Sequence, residues 1–245
     1  MIVSSLFVVN GIGARPVPPQ DNPYPASNYV RAMSLRIAIL VSGRHGRGSN
    51  MQAIVDACHD GRIDGQIVTV IGNFASSPAL HRAAGIGLRT ATVPSPKGSS
   101  EEDERIYSDA LLQELRAADA ELVCLAGYVR KLPTEVVSAF PGRVMNIHNA
   151  LLPSFGGKGM YGSHVHQAVI DYGVKFSGCT VHFVDENYDS GPIILQETVP
   201  VEDDDTPETL AARVLVAEHR SYPRAVALFA AGKLRIEGRR VFTAA

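Results

Sequence analysis

The sequence has few cysteines, no long apolar run and almost no net charge. Cys58, Cys124 and Cys179 are odd in number and far apart, which predicts reduced thiols rather than a disulfide or a cysteine-based metal site. No apolar run approaches the ~20 residues that a membrane-spanning helix needs, so we expect no membrane partner. Lys plus Arg total 23 against 25 for Asp plus Glu, and this balance disfavours a nucleic-acid partner because it provides no basic surface. Together these features predict a cytoplasmic protein.

The N-terminal 33 residues differ in composition from the rest of the chain. Five prolines stand between positions 16 and 25, and proline is excluded from helix interiors and central strands. We therefore predict a proline-rich, disordered N-terminal extension over residues 1–33 and one folded domain over 34–245. An upstream translation start, with Met33 as the true first residue, is one interpretation of the extension. An arm for targeting or partner binding is the other.

From Leu35 onward, short β-branched runs alternate with amphipathic stretches, a pattern typical of βαβ units. It predicts an α/β fold with an open, mainly parallel twisted sheet, helices on both faces and a Rossmann-like arrangement. The predicted strands are 36–42, 66–72, 89–93, 122–126, 143–147, 178–184 and 193–199. The predicted helices are 50–60, 78–84, 101–118, 133–139, 163–172 and 206–231.

A glycine-rich loop follows the first predicted strand and leads into a helix. It runs from Ser42 to Asn50 and reads SGRHGRGSN. Backbone N–H groups at a helix N-terminus form a ready phosphate site. The loop lacks both the Lys-Ser/Thr pair of a P-loop and the G-x-G-x-x-G order of a dinucleotide site. The expected ligand is therefore a phosphomonoester, with Arg44 and Arg47 as candidate counter-charges; the alternative is a connection that binds no ligand.

A polar pair marks the end of the predicted strand at 143–147. Asn146 and His148 are two residues apart, so they point to the same side of an extended chain. Ligands of open parallel sheets bind at this edge of the sheet. An amide and an imidazole that face one space can hydrogen-bond a carbonyl oxygen under attack and move a proton. The alternative is a structural histidine at a strand end.

Other polar groups in the sequence also have both a functional and a structural interpretation. One carboxylate of the acidic turn at 185–189 could approach His148 and keep it protonated by charge pairing, although solvated turn acids are the alternative. The four acids at 202–205 predict a solvated helix cap without a function. His164 and His166 lack the i, i+4 spacing of a helical zinc site, so we predict no metal.

Four ordered segments resemble the phosphoribosylglycinamide formyltransferase family, folate-dependent enzymes of purine synthesis. They are the glycine-rich loop, Leu125-Ala126-Gly127-Tyr128-Val129-Arg130, Asn146-Ile147-His148…Leu151-Leu152-Pro153, and Val181-His182-Phe183-Val184…Asp189-Ser190-Gly191-Pro192. The resemblance covers about residues 36–238. It implies the formyltransferase fold, small-molecule substrates and 10-formyltetrahydrofolate as co-substrate. The implied reaction transfers the formyl group to the glycyl amine of N1-(5-phospho-D-ribosyl)glycinamide in de novo purine (IMP) synthesis.

The resemblance also implies roles for individual residues. Asn146, His148 and Asp189 match the catalytic trio of the family. The ribonucleotide would be held at its phosphate by Gly48, Ser49 and Asn50, and at its ribose by Glu218. The implied folate-binding residues are Val129, Arg130, Lys131, Leu132, Asn146, Asp185, Glu186, Asn187, Tyr188 and Asp189.

The sequence departs from the family pattern in several places. Residues 44–47 stand where one residue is usual, so the glycine-rich loop is three residues longer. Asn149 replaces the proline that usually follows the catalytic histidine. The segment Gly156-Gly157-Lys158-Gly159-Met160-Tyr161-Gly162 resembles a longer loop found in some members. The basic residue that the family places before the helix near 101 could be Arg105 or Lys97.

Three other functions compete with this interpretation. A formyltetrahydrofolate deformylase carries an additional N-terminal domain, for which the residues before the first strand are too few. A methionyl-tRNA formyltransferase needs a C-terminal barrel and a basic surface. A non-catalytic ribonucleotide-binding module would not need the trio. Of these functions, we expect the formyltransferase. A homodimer is also compatible with the sequence, although the sequence identifies no interface.

Overall fold

The structure is a computed structural model that describes residues 34–43, 46–96, 98 and 100–244. Predictions about residues 1–33, Arg44 and Lys97 lie outside these ranges, and the division into an extension and one domain stays a prediction. The strands are β1 (Leu35–Val41), β2 (Gly65–Gly72), β3 (Thr90–Thr92), β4 (Leu122–Leu125), β5 (Val144–His148), β6 (Phe176–Phe183), β7 (Ile193–Pro200), β8 (Leu234–Glu237) and β9 (Arg240–Thr243). The helices are α1 (Ser49–His59), α2 (Pro78–Gly85), α3 (Glu101–Ala117), α4 (Thr134–Ala139), α5 (Ser163–Tyr172) and α6 (Pro207–Ala230).

The nine strands of the described residues form one sheet, in the order β3-β2-β1-β4-β5-β6-β7-β9-β8. The pairs from β3 to β5 are parallel, whereas β6 is antiparallel to both β5 and β7. The predicted α/β fold with an open, mainly parallel sheet is confirmed. Because β6 is antiparallel to β5, residues of β6 lie directly opposite Asn146 and His148, the catalytic candidates on β5.

Strand β1 is buried on both faces, as expected for a central strand of a parallel sheet. Its Ile37 and Ile39 pack in one core with α1, α2 and α6. Its Ala38 and Leu40 pack in a second core with α3 and α4. The predicted helices on both faces are therefore confirmed. A third cluster joins α5 to α6 over the antiparallel part of the sheet.

Every predicted strand and helix is present, with both ends within two residues of the structure. The hairpin of β8 and β9 was not predicted, although LRIE alternates apolar and polar residues just before Gly238, a hairpin signal. The prediction of a solvated acidic cap at 202–205 is wrong for Asp205. The side chain of Asp205 is 3% exposed and pairs with Arg213 at 2.7 Å. The hydrogen bond from Arg213 lowers the pKa of the Asp205 carboxyl below its usual range.

Replacing Tyr222 with phenylalanine is expected to lower the free energy of unfolding by about 1–3 kcal/mol. Tyr222 of α6 is fully buried, and its hydroxyl lies 3.1 Å from the carbonyl oxygen of Leu125 and 2.9 Å from that of Met145. Phenylalanine would leave these buried acceptors without that donor. Urea unfolding measures the change. The control is Tyr172→Phe, because Tyr172 is 79% exposed; equal effects in both variants would contradict the argument.

Candidate active site

The candidate site lies at the carboxyl ends of the parallel strands. The chain runs outward from β1 to β3 on one side and then returns to β4 and β5 on the other. The loops after β1 and β4 therefore diverge, which opens a crevice at a topological switch point. A cavity of about 490 Å³ opens here, and its lining includes Asn146, His148, Asp189, Asn50 and Glu218.

The structure brings the three predicted catalytic residues together. His148 is 5% exposed, and its Nδ1 lies 3.8 Å from Oδ2 of Asp189. His148 Nε2 is 2.8 Å from the carbonyl oxygen of Phe155. Because a carbonyl can only accept, this nitrogen carries a hydrogen and donates it. The Nδ1 atom then faces the carboxylate of Asp189.

The turn after β6 places Asp189 by backbone constraints. Asp189 has φ 51°, a left-handed conformation in which aspartate is enriched. Its Oδ2 accepts a hydrogen bond of 2.8 Å from the backbone N–H of Gly157. Gly191 is required two residues later, because a Cβ there would lie 1.8 Å from the Phe183 carbonyl oxygen. The carboxylate is therefore held from both the turn and the loop at 156–162.

His182 is a functional candidate that the sequence analysis did not assign. It is 2% exposed and pairs directly with Asn146 across the antiparallel strands. Its Nε2 lies 3.1 Å from Asn146 Nδ2 and 3.8 Å from Asp189 Oδ1. Burial lowers the pKa of His182, so a neutral ring can accept from the Asn146 amide. The sequence feature that could have indicated His182 is the motif at 181–184. Only the register between β5 and β6, however, places His182 beside Asn146.

One end of the cavity contains Asn50 and Glu218. Asn50 Nδ2 donates to Glu218 Oε2 at 2.6 Å, and thereby links α1 to α6. Glu218 is 7% exposed, and burial raises the pKa of its carboxyl to about 7, an increase that the Asn50 hydrogen bond partly opposes. This group therefore offers hydrogen-bonding oxygens whose charge changes near neutral pH.

The other two predicted phosphate residues lie beside this end rather than in the lining of the main cavity. Gly48 has φ 69° and precedes α1, whose N-terminus has no side-chain cap. A Cβ on Gly48 would come within 2.9 Å of the Ala79 side chain, so glycine is required by both conformation and space. Ser49 lines a neighbouring pocket of about 300 Å³ together with Arg82 and His219.

The predicted folate residues fall mainly in the other part of the cavity lining. The segments 129–132 and 187–189 line the cavity together with Asp185, whereas Glu186 is not in the lining. Ser42 Oγ accepts from the Val129 N–H at 2.8 Å, so the end of β1 anchors the first segment. Arg130 pairs with Glu104 and lies 5.1 Å above the Tyr107 ring.

Arg105, one of the two candidates for the basic folate contact, is outside the cavity. It pairs with Glu102 and Asp109 on an exposed face of α3. Within the described ranges, no three His, Cys, Asp or Glu side chains are grouped so that they could hold a metal ion. Of the helices in the same part of the chain, none is long and apolar enough to cross a membrane.

The sequence profile of the formyl transferase family matches residues 35–226. The chain belongs to this family, and the catalytic candidates lie within the matched part. Several relatives of this chain are named phosphoribosylglycinamide formyltransferase. The chloroplastic enzyme of Arabidopsis thaliana is 42% identical over 191 residues, which are 78% of this chain and 64% of that relative. The chain therefore spans slightly less than two thirds of the length of that protein.

Two further relatives have lengths closer to that of this chain. The phosphoribosylglycinamide formyltransferase of Escherichia coli (strain K12) is 37% identical, and the match covers 82% of this chain and 90% of the relative. The crystal structure of glycinamide ribonucleotide transformylase 1 from Symbiobacterium toebii superposes with a TM-score of 0.79 at 42% identity. It covers 90% of this chain and 99% of the other. The resemblance recognised in the sequence is confirmed at the level of the family.

Proposed function

We propose that this protein transfers the formyl group of 10-formyltetrahydrofolate to the glycyl amine of N1-(5-phospho-D-ribosyl)glycinamide, a step of de novo purine synthesis. The main support is that Asn146, His148 and Asp189 line one cavity. The chain is also similar to enzymes named for this reaction. The residues around the trio divide into two groups, one suited to each substrate.

The ribonucleotide would bind across the α1 N-terminus and α6. The uncapped N–H groups of the first turn of α1 would receive the phosphate, because the positive end of the helix dipole favours an anion. Glu218 would accept hydrogen bonds from the ribose hydroxyls, and Asn50 orients this carboxyl group. The predicted roles of Gly48, Ser49, Asn50 and Glu218 are thus part of the proposal.

The folate would occupy the part of the cavity lined by residues 129–132 and by the turn that contains Asp185, Asn187 and Tyr188. Leu132 is buried and Val129 is 48% exposed, so this part of the lining combines apolar contacts with backbone groups. A flat heterocycle with polar edges suits such a surface. The formyl group of the bound folate would then face His148.

Asn146 and His148 would stabilise the transition state. Attack by the neutral glycyl amine on the formyl carbon makes a tetrahedral centre with a negatively charged oxygen. Each preorganised donor to such an oxygen contributes on the order of 3 kcal/mol. His148 Nε2 already donates to a carbonyl oxygen at 2.8 Å, and the formyl oxygen would replace that acceptor.

Asp189 would place its negative charge beside His148 during this step. The attacking nitrogen must lose a proton, and the departing tetrahydrofolate nitrogen must gain one. The Asp189 carboxylate is partly buried and lies 3.8 Å from both His148 and His182. It is placed to route the proton through an intervening water.

A two-substrate assay tests the proposed function. Purified protein is incubated with 10-formyltetrahydrofolate, with and without the ribonucleotide, and formylated ribonucleotide and formate are measured separately. We expect formylated ribonucleotide to form, and tetrahydrofolate to appear only when the acceptor is present. Formate release at the same rate with and without acceptor would instead identify a deformylase. Binding of the ribonucleotide without turnover would identify a non-catalytic binding module.

The remaining assignments are part of the same proposal. We infer small-molecule substrates and a cytoplasmic location, although the two plant relatives are named as chloroplastic. Gel filtration with light scattering decides between a monomer and a homodimer.

A further inference from the structure

The segment Gly156–Gly162, here named the cavity loop, covers one side of the site. Its Met160 packs against the cluster that joins α5 to α6. Gly157, Gly159 and Gly162 have φ values of 99°, 90° and 57°, and a Cβ at any of them would meet no atom within 4 Å. Residues 157–162 line the cavity. Hydrogen bonds at the two ends of the cavity loop add to the packing of Met160 and connect the loop to the catalytic strand.

The N-terminal end of the cavity loop is bound to the catalytic residues themselves. Phe155, which precedes it, accepts a hydrogen bond from His148, and the Gly157 N–H donates to Asp189. The C-terminal end is bound to a different residue. Asn149 Nδ2 is 3.0 Å from the carbonyl oxygen of Gly162 and 2.9 Å from Nε2 of His166.

These two contacts determine the orientation of the Asn149 amide and the tautomer of His166. A carbonyl oxygen can only accept, so the atom facing Gly162 must be the amide nitrogen. Its second hydrogen points to His166 Nε2, which must therefore be an acceptor. His166 is 3% exposed, and burial lowers its pKa to about 4. The ring is thus neutral at physiological pH, with its hydrogen on Nδ1.

The position of Asn149 joins three elements of the site. It directly follows His148 at the end of β5, Gly162 is the residue before α5, and His166 lies in the first turns of α5. The next residue, Ala150, packs in one cluster with Val165 of α5 and Ala217 of α6. Ala217 is adjacent to Glu218. Asn149 and Glu218 both line the cavity, and the cluster that contains Ala150 connects the strand end of Asn149 to the part of α6 that carries Glu218.

We propose that Asn149 is a positioning residue that holds the C-terminal end of the cavity loop against the catalytic strand, and that neutral His166 orients it by accepting its second amide hydrogen. The inference rests on the proposed function and deepens it. It assigns to Asn149, which stands where proline is usual, the positioning of the loop end that borders the ribonucleotide site. Proline at this position has no side-chain donor and could make neither contact.

Steady-state kinetics of Asn149→Ala tests the inference. We expect KM for the ribonucleotide to rise roughly tenfold through the loss of two hydrogen bonds. KM for 10-formyltetrahydrofolate and kcat should stay within about threefold, since the trio is unchanged. The matched control is Gln167→Ala, the neighbour of His166 on α5, which loses only an exposed contact to Asp171. A rise of less than twofold in the ribonucleotide KM of Asn149→Ala would overturn the inference.

A spectroscopic measurement tests the same contacts without turnover. Two-bond ¹H–¹⁵N correlation spectra should show the Nδ1–H tautomer of His166 in the unmodified chain and the Nε2–H tautomer in Asn149→Asp, whose carboxylate can only accept. An Nε2–H tautomer in the unmodified chain would overturn the inference. If the unmodified protein does not formylate the ribonucleotide, the proposed function fails, and the tautomer still decides whether Asn149 and His166 interact as described.

His166→Gln retains an acceptor and should keep the ribonucleotide KM within about threefold, whereas His166→Leu should not.

Discussion

Replacing Asp189 with asparagine is expected to lower kcat by roughly 10²–10⁴-fold, the range found for groups in general acid–base catalysis. The variant removes the negative charge 3.8 Å from His148 and from His182. The amide oxygen of asparagine can still accept from the Gly157 N–H, so the loop should keep its place. The dissociation constant of the ribonucleotide should therefore stay within about threefold. Single-turnover kinetics and isothermal titration calorimetry measure the two quantities.

The control for this variant is Asp203→Asn. Asp203 pairs with Lys175 on the surface, where its side chain is 94% exposed, and an exposed ion pair contributes little. Its kcat should match that of the unmodified protein. If Asp189→Asn lost ribonucleotide binding but turned over bound substrate at the normal rate, Asp189 would be a binding residue and the proposed mechanism would be wrong.

Replacing Glu218 with glutamine is expected to weaken ribonucleotide binding by roughly 10–100-fold, because hydrogen bonds to a charged acceptor contribute about 1.5–3 kcal/mol. The same change should stabilise the fold at pH 8. Burial raises the pKa of Glu218 from 4.5 to about 7, which means that folding opposes ionisation of this carboxyl. Glutamine has the same shape, can accept from Asn50 and carries no charge.

The direction of the pH effect follows from the raised pKa. Below about pH 4.5 the carboxyl is protonated in both the folded and the unfolded chain, so it adds no penalty to folding. As the pH rises from 4.5 through 7, the unfolded chain loses its proton first and the fold loses stability, by about 3 kcal/mol at most. Glu218→Gln should therefore raise the free energy of unfolding at pH 8 by about 1–3 kcal/mol and change it little at pH 4.5.

Glu197→Gln is the matched control for the stability measurement. Glu197 lies on β7 and pairs with Arg220 and Ser221. Its pKa is lowered by these hydrogen bonds, against the effect of burial, so neutralising it should destabilise the fold at pH 8. Urea unfolding at both pH values compares the two variants. Changes of the same sign at pH 8 would show that the burial of Glu218 does not oppose its ionisation.

The sequence predicted the elements that carry the site because their signals are local. Apolar runs of strand length, the acidic first turn of α3 and the Thr206-Pro207 start of α6 each determine a helix or strand without reference to the rest of the chain. Asn146 and His148 were found in the same way, from their spacing on one strand. The β8–β9 hairpin was missed because its strands are four residues long and contain several charged residues.

The placement of His182 could not be predicted from local signals in the sequence. It was visible in a motif, but its role as a candidate depends on the antiparallel register that places it opposite Asn146. The contacts of Asn149 depend on a loop whose path is set by glycines in left-handed conformations. A pattern of residue types contains neither the register nor the path, because both result from packing between segments that are distant in sequence.

The sequence by itself determined the α/β class, the order of the strands and helices, and the residue types available for formyl transfer. It did so because hydrophobic periodicity, capping and motif spacing act over a few residues. Only the tertiary structure decided which side chains meet: His148 with Asp189 and the Phe155 carbonyl, Asn50 with Glu218, and Asn149 with His166. Those meetings, and the burial that shifts the pKa values of Glu218 and His166, arise from the close packing of distant segments around one cavity.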